Sequence, residues 1–173
     1  MSDEQPNVPV SDKTIQQLRI LMMAIPGGLM PFLIVVCFLY FVIEPSGDTD
    51  LNMMVIFTAS HFALIGLTFP VGLFLFRSIL ASDSMKKNIK QEKQLAVESG
   101  ITNAYVIRSI AWEIAPILGI ITIFMSISSG IIDEKPLLWA NAMSPIAFFA
   151  LHLSQLPTRQ RIIMNLKFFN VID

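Results

Sequence analysis

The chain has 173 residues, of which 54% are hydrophobic and only 14% charged, and its mean hydropathy is +0.64. A soluble domain has about 25% charged residues and cannot bury this much apolar surface, so the composition excludes an ordinary soluble protein. The formal net charge of -1 gives no general attraction for polyanions, which argues against a nucleic-acid partner. Because Cys37 is the single cysteine, neither an internal disulfide nor a cysteine metal site is available.

Four apolar segments are long enough to cross about 30 Å of hydrocarbon as helices. They run from 18 to 43, 51 to 80, 101 to 129 and 137 to 156. The polar tail 1–17 lacks the basic start of a signal peptide, so the first segment is expected to remain as an uncleaved anchor. The predicted fold is an all-α membrane protein, a four-transmembrane-helix bundle over 18–156.

The segment after the fourth span, 157–173, is predicted to contain an amphipathic helix that lies in the membrane interface. Its apolar residues share one helical stripe, and its basic residues lie mostly off that stripe. The stripe consists of Ile162, Ile163, Leu166 and Phe169.

Basic residues cluster at one side of the predicted spans, whereas the turns on the other side are acidic. Arg19 opens the first span, a lysine-rich link over 82–100 joins the second span to the third, and Arg159 and Arg161 follow the fourth. Lys and Arg next to spans stay in the cytoplasm, so both termini are predicted to be cytoplasmic. Arg19, Arg159 and Arg161 are candidate interface or lipid-head anchors, with membrane lipids as partners.

The third span carries a spacing that favours close helix packing. Ala111, Ala115 and Gly119 fall on one stripe, the small-residue pattern that lets two helix backbones approach. Arg108 and Trp112, four residues apart on the same helix, are candidate anchors at the interface, and the guanidinium could also stack on the indole.

Glu113 lies on the opposite face of this helix, about 15 to 18 Å below the predicted cytoplasmic surface. A carboxylate at that depth is costly when ionised and needs a proton, a cation or a polar partner. We predict His61 of the second span as that partner, from its depth. Glu113 and His61 together are the candidate proton or cation site, and the alternative is a protonated acid that is hydrogen-bonded within the bundle or to a neighbouring subunit.

His152 is predicted to lie about one turn from the cytoplasmic end of the fourth span. Its depth then differs from that of His61 by about 10 Å, which argues against a haem held by both histidines. No ligand spacing for a metal is present on one helix, so we expect neither cofactor nor metal.

Residues 18–30, LRILMMAIPGGLM, align with 107–119, IRSIAWEIAPILG, through an arginine near the start and a later proline. The alignment favours two helical hairpins inserted the same way, a parallel repeat, and the alternative is two unrelated spans with basic flanks. In the first copy Ala24 occupies the place of Glu113.

The sequence IRSIAWEIAPILG and the motif LPTRQR at 156–161 resemble small bacterial four-helix membrane proteins of uncharacterised function, whose hairpins are similar to the proteolipid, or c-type, subunit of rotary ATP synthases. The resemblance implies that Glu113 binds a proton or cation and that the protein lies in a bacterial inner membrane. The bulky AWEIAP, the four spans and Ala24 depart from the proteolipid pattern, so rotary function is not implied.

Three functions follow from these patterns. The first is a non-enzymatic integral membrane protein, an accessory subunit of a larger complex or a self-associating bundle, because short loops leave little room for a soluble active site. The second is proton or cation translocation through Glu113. The third is a cofactor-binding subunit of a membrane redox enzyme.

Overall fold

The computed structural model describes residues 8–46 and 50–172, and all the regular structure in these ranges is helical. Four helical stretches are long and apolar enough to cross a membrane: Asp12–Leu39, Leu51–Leu80, Gln94–Ser128 and Pro136–Ser154. The prediction of an all-α protein with four apolar spans is confirmed, and the chain is a multi-pass membrane protein in its architecture.

The first span consists of two helices, α1 (Asp12–Gly27) and α2 (Leu29–Leu39), which meet at Gly28. Pro26 and Pro31 flank this junction, and each lacks the N–H that would continue the helical hydrogen bonds. The span begins at Asp12 rather than 18, because the Ser11 hydroxyl accepts from the Thr14 N–H and caps the helix. It ends at Leu39 rather than 43.

Helix α3 (Leu51–Leu80) has the predicted bounds, with the Asp50 side chain as its N-cap. The link contains a short helix, α4 (Asp83–Lys90). Helix α5 (Gln94–Ser128) has 35 residues, a length of about 52 Å, which exceeds the hydrocarbon thickness. The helix begins seven residues before the predicted start at 101, in a stretch that contains the polar residues Gln94, Glu98 and Ser99.

The fourth span is only partly α-helical. After the single turn α6 (Ile131–Glu134), a 3₁₀ helix covers Pro136–Ala142, and α7 (Met143–Ser154) follows. Helix α8 (Arg159–Phe168) begins at the Thr158 cap, as predicted for a helix after the fourth span. Its apolar stripe packs against the protein's own core, with Ile162 and Leu166 buried.

Helix α5 is the centre of the bundle. In its most apolar window 61% of the residues are buried, against 22% to 33% in the other spans, so the other spans surround it. Helix α3 packs along α5 on one side, while α1, α2, the 3₁₀ helix and α7 also contact α5. The two predicted hairpins differ in their packing. In the second hairpin α5 packs against α7, whereas in the first hairpin α3 packs mainly against α5 and not against α1 or α2.

Two apolar clusters occupy the ends of the bundle. The terminal cluster brings together the described start of the chain, α4 and α8, and it includes Val8, Met85, Val97, Tyr105 and Leu166. The loop cluster lies at the other end and includes Leu33, Met54, Ile123, Ile132 and Leu138. From residue 8 onward the predicted tail is packed into the terminal cluster, and residues 1–7 lie outside the described ranges.

Candidate functional site

A polar layer lies inside the bundle between the two apolar clusters. Each of its main side chains is at most 7% exposed, so bulk water does not hydrate their polar groups. They are His61, Arg108, Ser109, Glu113, Asn141, Ser144 and His152. Buried polar groups require partners, so the way each is satisfied distinguishes packing from chemistry.

Glu113 is buried where α5 packs against α7. Its nearest charged or chargeable partner is His152, whose Nε2 atom lies 3.8 Å from the Oε1 atom of the carboxyl group. Within the described ranges neither carboxyl oxygen accepts a hydrogen bond. An ionised carboxylate in this position would lose its hydration without gaining hydrogen bonds from the protein. The neutral acid is therefore the favoured resting form.

His152 is held by two other contacts that define the roles of its ring nitrogens. Nδ1 lies 2.8 Å from the Phe148 carbonyl oxygen, which can only accept, so Nδ1 carries a proton. Nε2 lies 3.1 Å from the Ser109 hydroxyl and accepts its hydrogen bond in the neutral ring. The nitrogen that faces Glu113 is therefore the one that is free to gain a proton.

Ser109 can adapt to either protonation state of the histidine. Its hydroxyl oxygen also lies 3.2 Å from the Met22 sulfur, a weak acceptor. When His152 is neutral the hydroxyl donates to Nε2, and when His152 is protonated it can turn to Met22 and accept from the ring. Rotation of the Ser109 hydroxyl therefore accommodates either protonation state of His152 without a change of fold.

His61 does not contact Glu113, and the predicted pair is wrong in its geometry. The Nδ1 atom of His61 lies 2.7 Å from the Asn141 amide oxygen, and its Nε2 atom lies 2.6 Å from the Ser144 hydroxyl. Depth alone gave the prediction, but Glu113 faces α7 whereas His61 comes from α3. Both ring nitrogens of His61 are satisfied, as in a structural histidine.

Two of the three residues in the small-residue stripe of α5, Ala115 and Gly119, are buried where other parts of the bundle pack closely on this helix. A β-carbon on Gly119 would lie 2.8 Å from the Asn141 carbonyl oxygen and 2.9 Å from the His61 ring, so only glycine fits. Ala115 is fully buried, but Ala111 is half-buried. Gly119 therefore leaves the space in which His61 and its hydrogen-bond partners Asn141 and Ser144, the His61 network, pack against α5.

Trp112 and Arg108 were expected at the interface, and the structure buries both, at 0% and 4% exposure. The indole N–H of Trp112 donates to the Phe69 carbonyl at 3.2 Å, in the space left by Gly72. The guanidinium carbon of Arg108 lies 4.9 Å from the Trp112 ring centroid, which agrees with the predicted stacking. The Arg108 side chain does not extend to the surface of the bundle, because aromatic side chains enclose it.

The other three predicted anchors are Arg19, Arg159 and Arg161, which are exposed and bind backbone carbonyls of the protein. Arg19 donates to the Pro157 carbonyl at 2.7 Å, and Arg159 donates to the Val10 carbonyl at 2.6 Å. Arg161 donates to the carbonyls of Ser154 and Leu156 at the end of α7. Their predicted contact with lipid headgroups stays a prediction.

Sequence reasoning missed the place of His152 and the role of Ser109. One signal was present, since Ser109 lies four residues before Glu113 and thus on the same helical face. His152 was expected to meet the interface near the end of the fourth span, but its ring turns towards α5, where it contacts Ser109 and Trp112.

The described residues contain no group of three or more His, Cys, Asp or Glu side chains that could hold a metal ion. The predicted cofactor state and the resemblance to proteolipid subunits stay predictions. Comparisons of the chain with protein-family models, curated proteins and solved structures give no match, so the geometry of the polar layer is the basis for a functional proposal.

Proposed function

We propose that this protein is a proton-binding integral membrane component in which Glu113 and His152 take up and release one proton within the bundle. The observation that carries the proposal is the unsatisfied Glu113 carboxyl group, whose Oε1 atom lies 3.8 Å from His152 Nε2. This proposal keeps Glu113 from the sequence-based proton site and replaces His61 with His152.

Energetics favour a shared proton over two fixed charges. A lone carboxylate inside a membrane bundle is expensive, whereas a neutral acid beside a neutral histidine has little charge to solvate. Transfer of the proton to His152 creates a close ion pair, whose mutual attraction offsets part of the desolvation cost. The two states differ by one proton position, so a change in solvation or in a partner can shift the balance between them.

The outer faces of the spans support membrane embedding and assembly. Along α3 the buried positions form one stripe towards α5, and the rest of the helix is left for lipid or another subunit. Exposed phenylalanines such as Phe32, Phe38 and Phe74 lie on these faces. We propose that the protein is a non-enzymatic subunit or a self-associating bundle in a bacterial inner membrane. Because Lys and Arg flank the spans at the end of the bundle that contains the terminal cluster, we propose that this end faces the cytoplasm.

An infrared titration of the protein in lipid bilayers tests the proposal. A protonated carboxylic acid has a carbonyl stretch distinct from that of a carboxylate, and the Glu113 band should persist in a buried acid and disappear in Glu113→Gln. His152→Gln should change the pH at which this band is lost, because the proton acceptor is removed. Two matched controls, Glu134→Gln in the exposed turn and His61→Gln, should leave the band in place.

Proteoliposomes with an enclosed pH indicator then distinguish binding from translocation. If Glu113 carries protons across the bilayer, an imposed membrane potential drives a flux that Glu113→Gln abolishes. A spectrum in which Glu113→Gln retains every carboxylic-acid band of the parent protein would refute the proton-binding proposal. An absorption spectrum of the purified protein tests the redox alternative, which requires a haem or flavin band.

A further inference from the structure

A second polar site lies at the terminal end of the bundle, separate from the Glu113 carboxyl group. A cavity of about 350 Å³ opens between α5, the end of α7 and α8. Arg108 and Arg161 both line it, together with the polar side chains of Tyr105, Gln155 and Asn165. No carboxylate is among the lining residues, so two guanidinium groups share one cavity without a counter-charge from its walls.

Arg108 is the buried half of this arrangement. The residue is 4% exposed, and its Nε and Nη2 atoms have no hydrogen-bond partner in the part of the chain that the structure describes. Three aromatic rings surround its guanidinium carbon, with centroids at 4.5 Å for Phe76 and 4.9 Å for both Tyr105 and Trp112. Cation–π contacts stabilise the charge but accept few N–H bonds, so these two donors are unpaired among the described residues. Both nitrogen atoms are buried, and Arg108 still borders the cavity as one of its lining residues.

Arg161 is the exposed half and is held in place by the backbone. Its Nη1 atom donates to the Leu156 carbonyl at 3.1 Å and to the Ser154 carbonyl, which fixes the guanidinium at the end of α7. Asn165 donates to the Tyr105 hydroxyl at 3.2 Å and holds α8 against α5 at this point. The cavity wall is therefore ordered before any ligand arrives, which lowers the entropy lost on binding.

Neither arginine is neutralised by an acid within residues 8–46 and 50–172. Among the described residues, acids lie within 4 Å of a basic group only where Asp12 faces Arg159 and Glu113 faces His152, so no acid lies that close to Arg108 or Arg161. Two like charges at a shared cavity repel each other, and an anion between them removes that cost. A guanidinium group binds oxyanions through parallel N–H donors, and a phosphate group has enough acceptor oxygens for two such groups.

We propose that this cavity binds the phosphate group of an anionic ligand through Arg108 and Arg161. Its place beside α8, at the end where α5 leaves the membrane, gives access to two sources of this group. One source is the headgroup of an anionic phospholipid, and the other is a free phosphate or phosphorylated solute. The site uses none of the atoms of the Glu113–His152 pair, so it goes beyond the proton-binding proposal and does not depend on it.

The test measures phosphate binding directly in two settings. Calorimetry of the full chain in a neutral detergent, at constant ionic strength, reports binding of inorganic phosphate. Native mass spectrometry of protein taken from phosphatidylcholine bilayers, or from equal mixtures of phosphatidylcholine and phosphatidylglycerol, reports retained anionic lipid. Arg108→Gln and Arg161→Gln should each weaken binding by about tenfold or more, since each removes a charged donor. The control Lys167→Gln removes one positive charge from α8 outside this cavity and should change binding little.

Each outcome decides the proposal. Saturable binding of inorganic phosphate that depends on both arginines supports a soluble ligand, and retention of phosphatidylglycerol with the same dependence supports a lipid. If neither binds, or if Lys167→Gln weakens binding as much as Arg161→Gln, the site is refuted. Should Arg108→Gln fail to fold, Arg161→Gln and its control still decide, because Arg161 is exposed. Glu113→Gln should retain the binding, so loss of proton binding and loss of anion binding are distinguishable.

Discussion

Replacing Gly119 with alanine tests how closely α5 approaches the His61 network. The added β-carbon would lie 2.8 Å from the Asn141 carbonyl oxygen and 2.9 Å from the His61 ring, against 3.4 Å or more for ordinary contact. His61 cannot simply move away, because hydrogen bonds hold both of its ring nitrogens. Overpacking of this kind costs about 1–3 kcal/mol of unfolding free energy.

Gly66→Ala in α3 is the matched control, because a β-carbon there meets nothing within 4 Å. Both variants gain the helix propensity of alanine, about 1 kcal/mol, so the difference between them isolates the clash. Reversible unfolding in mixed micelles, followed by circular dichroism, should place Gly119→Ala about 1–3 kcal/mol below Gly66→Ala. Equal stabilities of the two variants would show that α5 and the His61 network are further apart than the structure has them.

Two further predictions concern groups outside the proton site. His61→Ala should lower the unfolding free energy by about 2–4 kcal/mol, because Asn141 and its neighbours lose buried partners, and should leave proton binding unchanged; denaturation and the infrared titration measure both. Tyr40 lies beyond the end of α2, and its hydrogen bond to Asp133 at 2.8 Å raises the pKa of the phenol above 10.0. Because the folded pKa is the higher one, this contact stabilises the fold below pH 10 and is lost as the pH rises through that folded pKa. In a Tyr105→Phe background, an ultraviolet titration should show the Tyr40 pKa fall in Asp133→Asn, and no fall would contradict the contact.

The spans could be predicted from the sequence because their signal is a sum over many residues. Helix α3 matches its predicted bounds, since Asp50 caps it where the apolar run begins. The fourth span shows the limit of this reasoning. Pro136 starts a 3₁₀ helix rather than an α-helix, and hydropathy does not distinguish the two. The early starts of α1 and α5 lie in polar sequence that hydropathy does not assign to a span. The Ser11 cap of α1 is a local signal, whereas the packing of both starts on the terminal cluster is a tertiary contact.

The candidate site was predictable in part, because a buried acid can be identified by depth but its partner cannot. The helical angle between Glu113 and the stripe that ends at Gly119 already placed the carboxyl group away from the neighbour of that stripe. In the structure His61 lies next to Gly119, on the side of α5 that carries the small-residue stripe. Because Glu113 points away from this stripe, its side chain does not contact His61. Knowing which helix lies on which face of α5 requires the fold, and only then does His152 become the partner.

The two halves of the polar layer are satisfied to different degrees, and this contrast is the strongest argument for a function. Around His61 every ring nitrogen has a partner, as expected where polar groups serve packing. At Glu113 both oxygens lack hydrogen-bond partners among the described residues. A bundle that needed only stability would gain from an apolar side chain there, because an unsatisfied buried carboxyl group costs free energy that packing does not return. This contrast supports the proposal that Glu113 is kept for proton exchange with His152 rather than for stability.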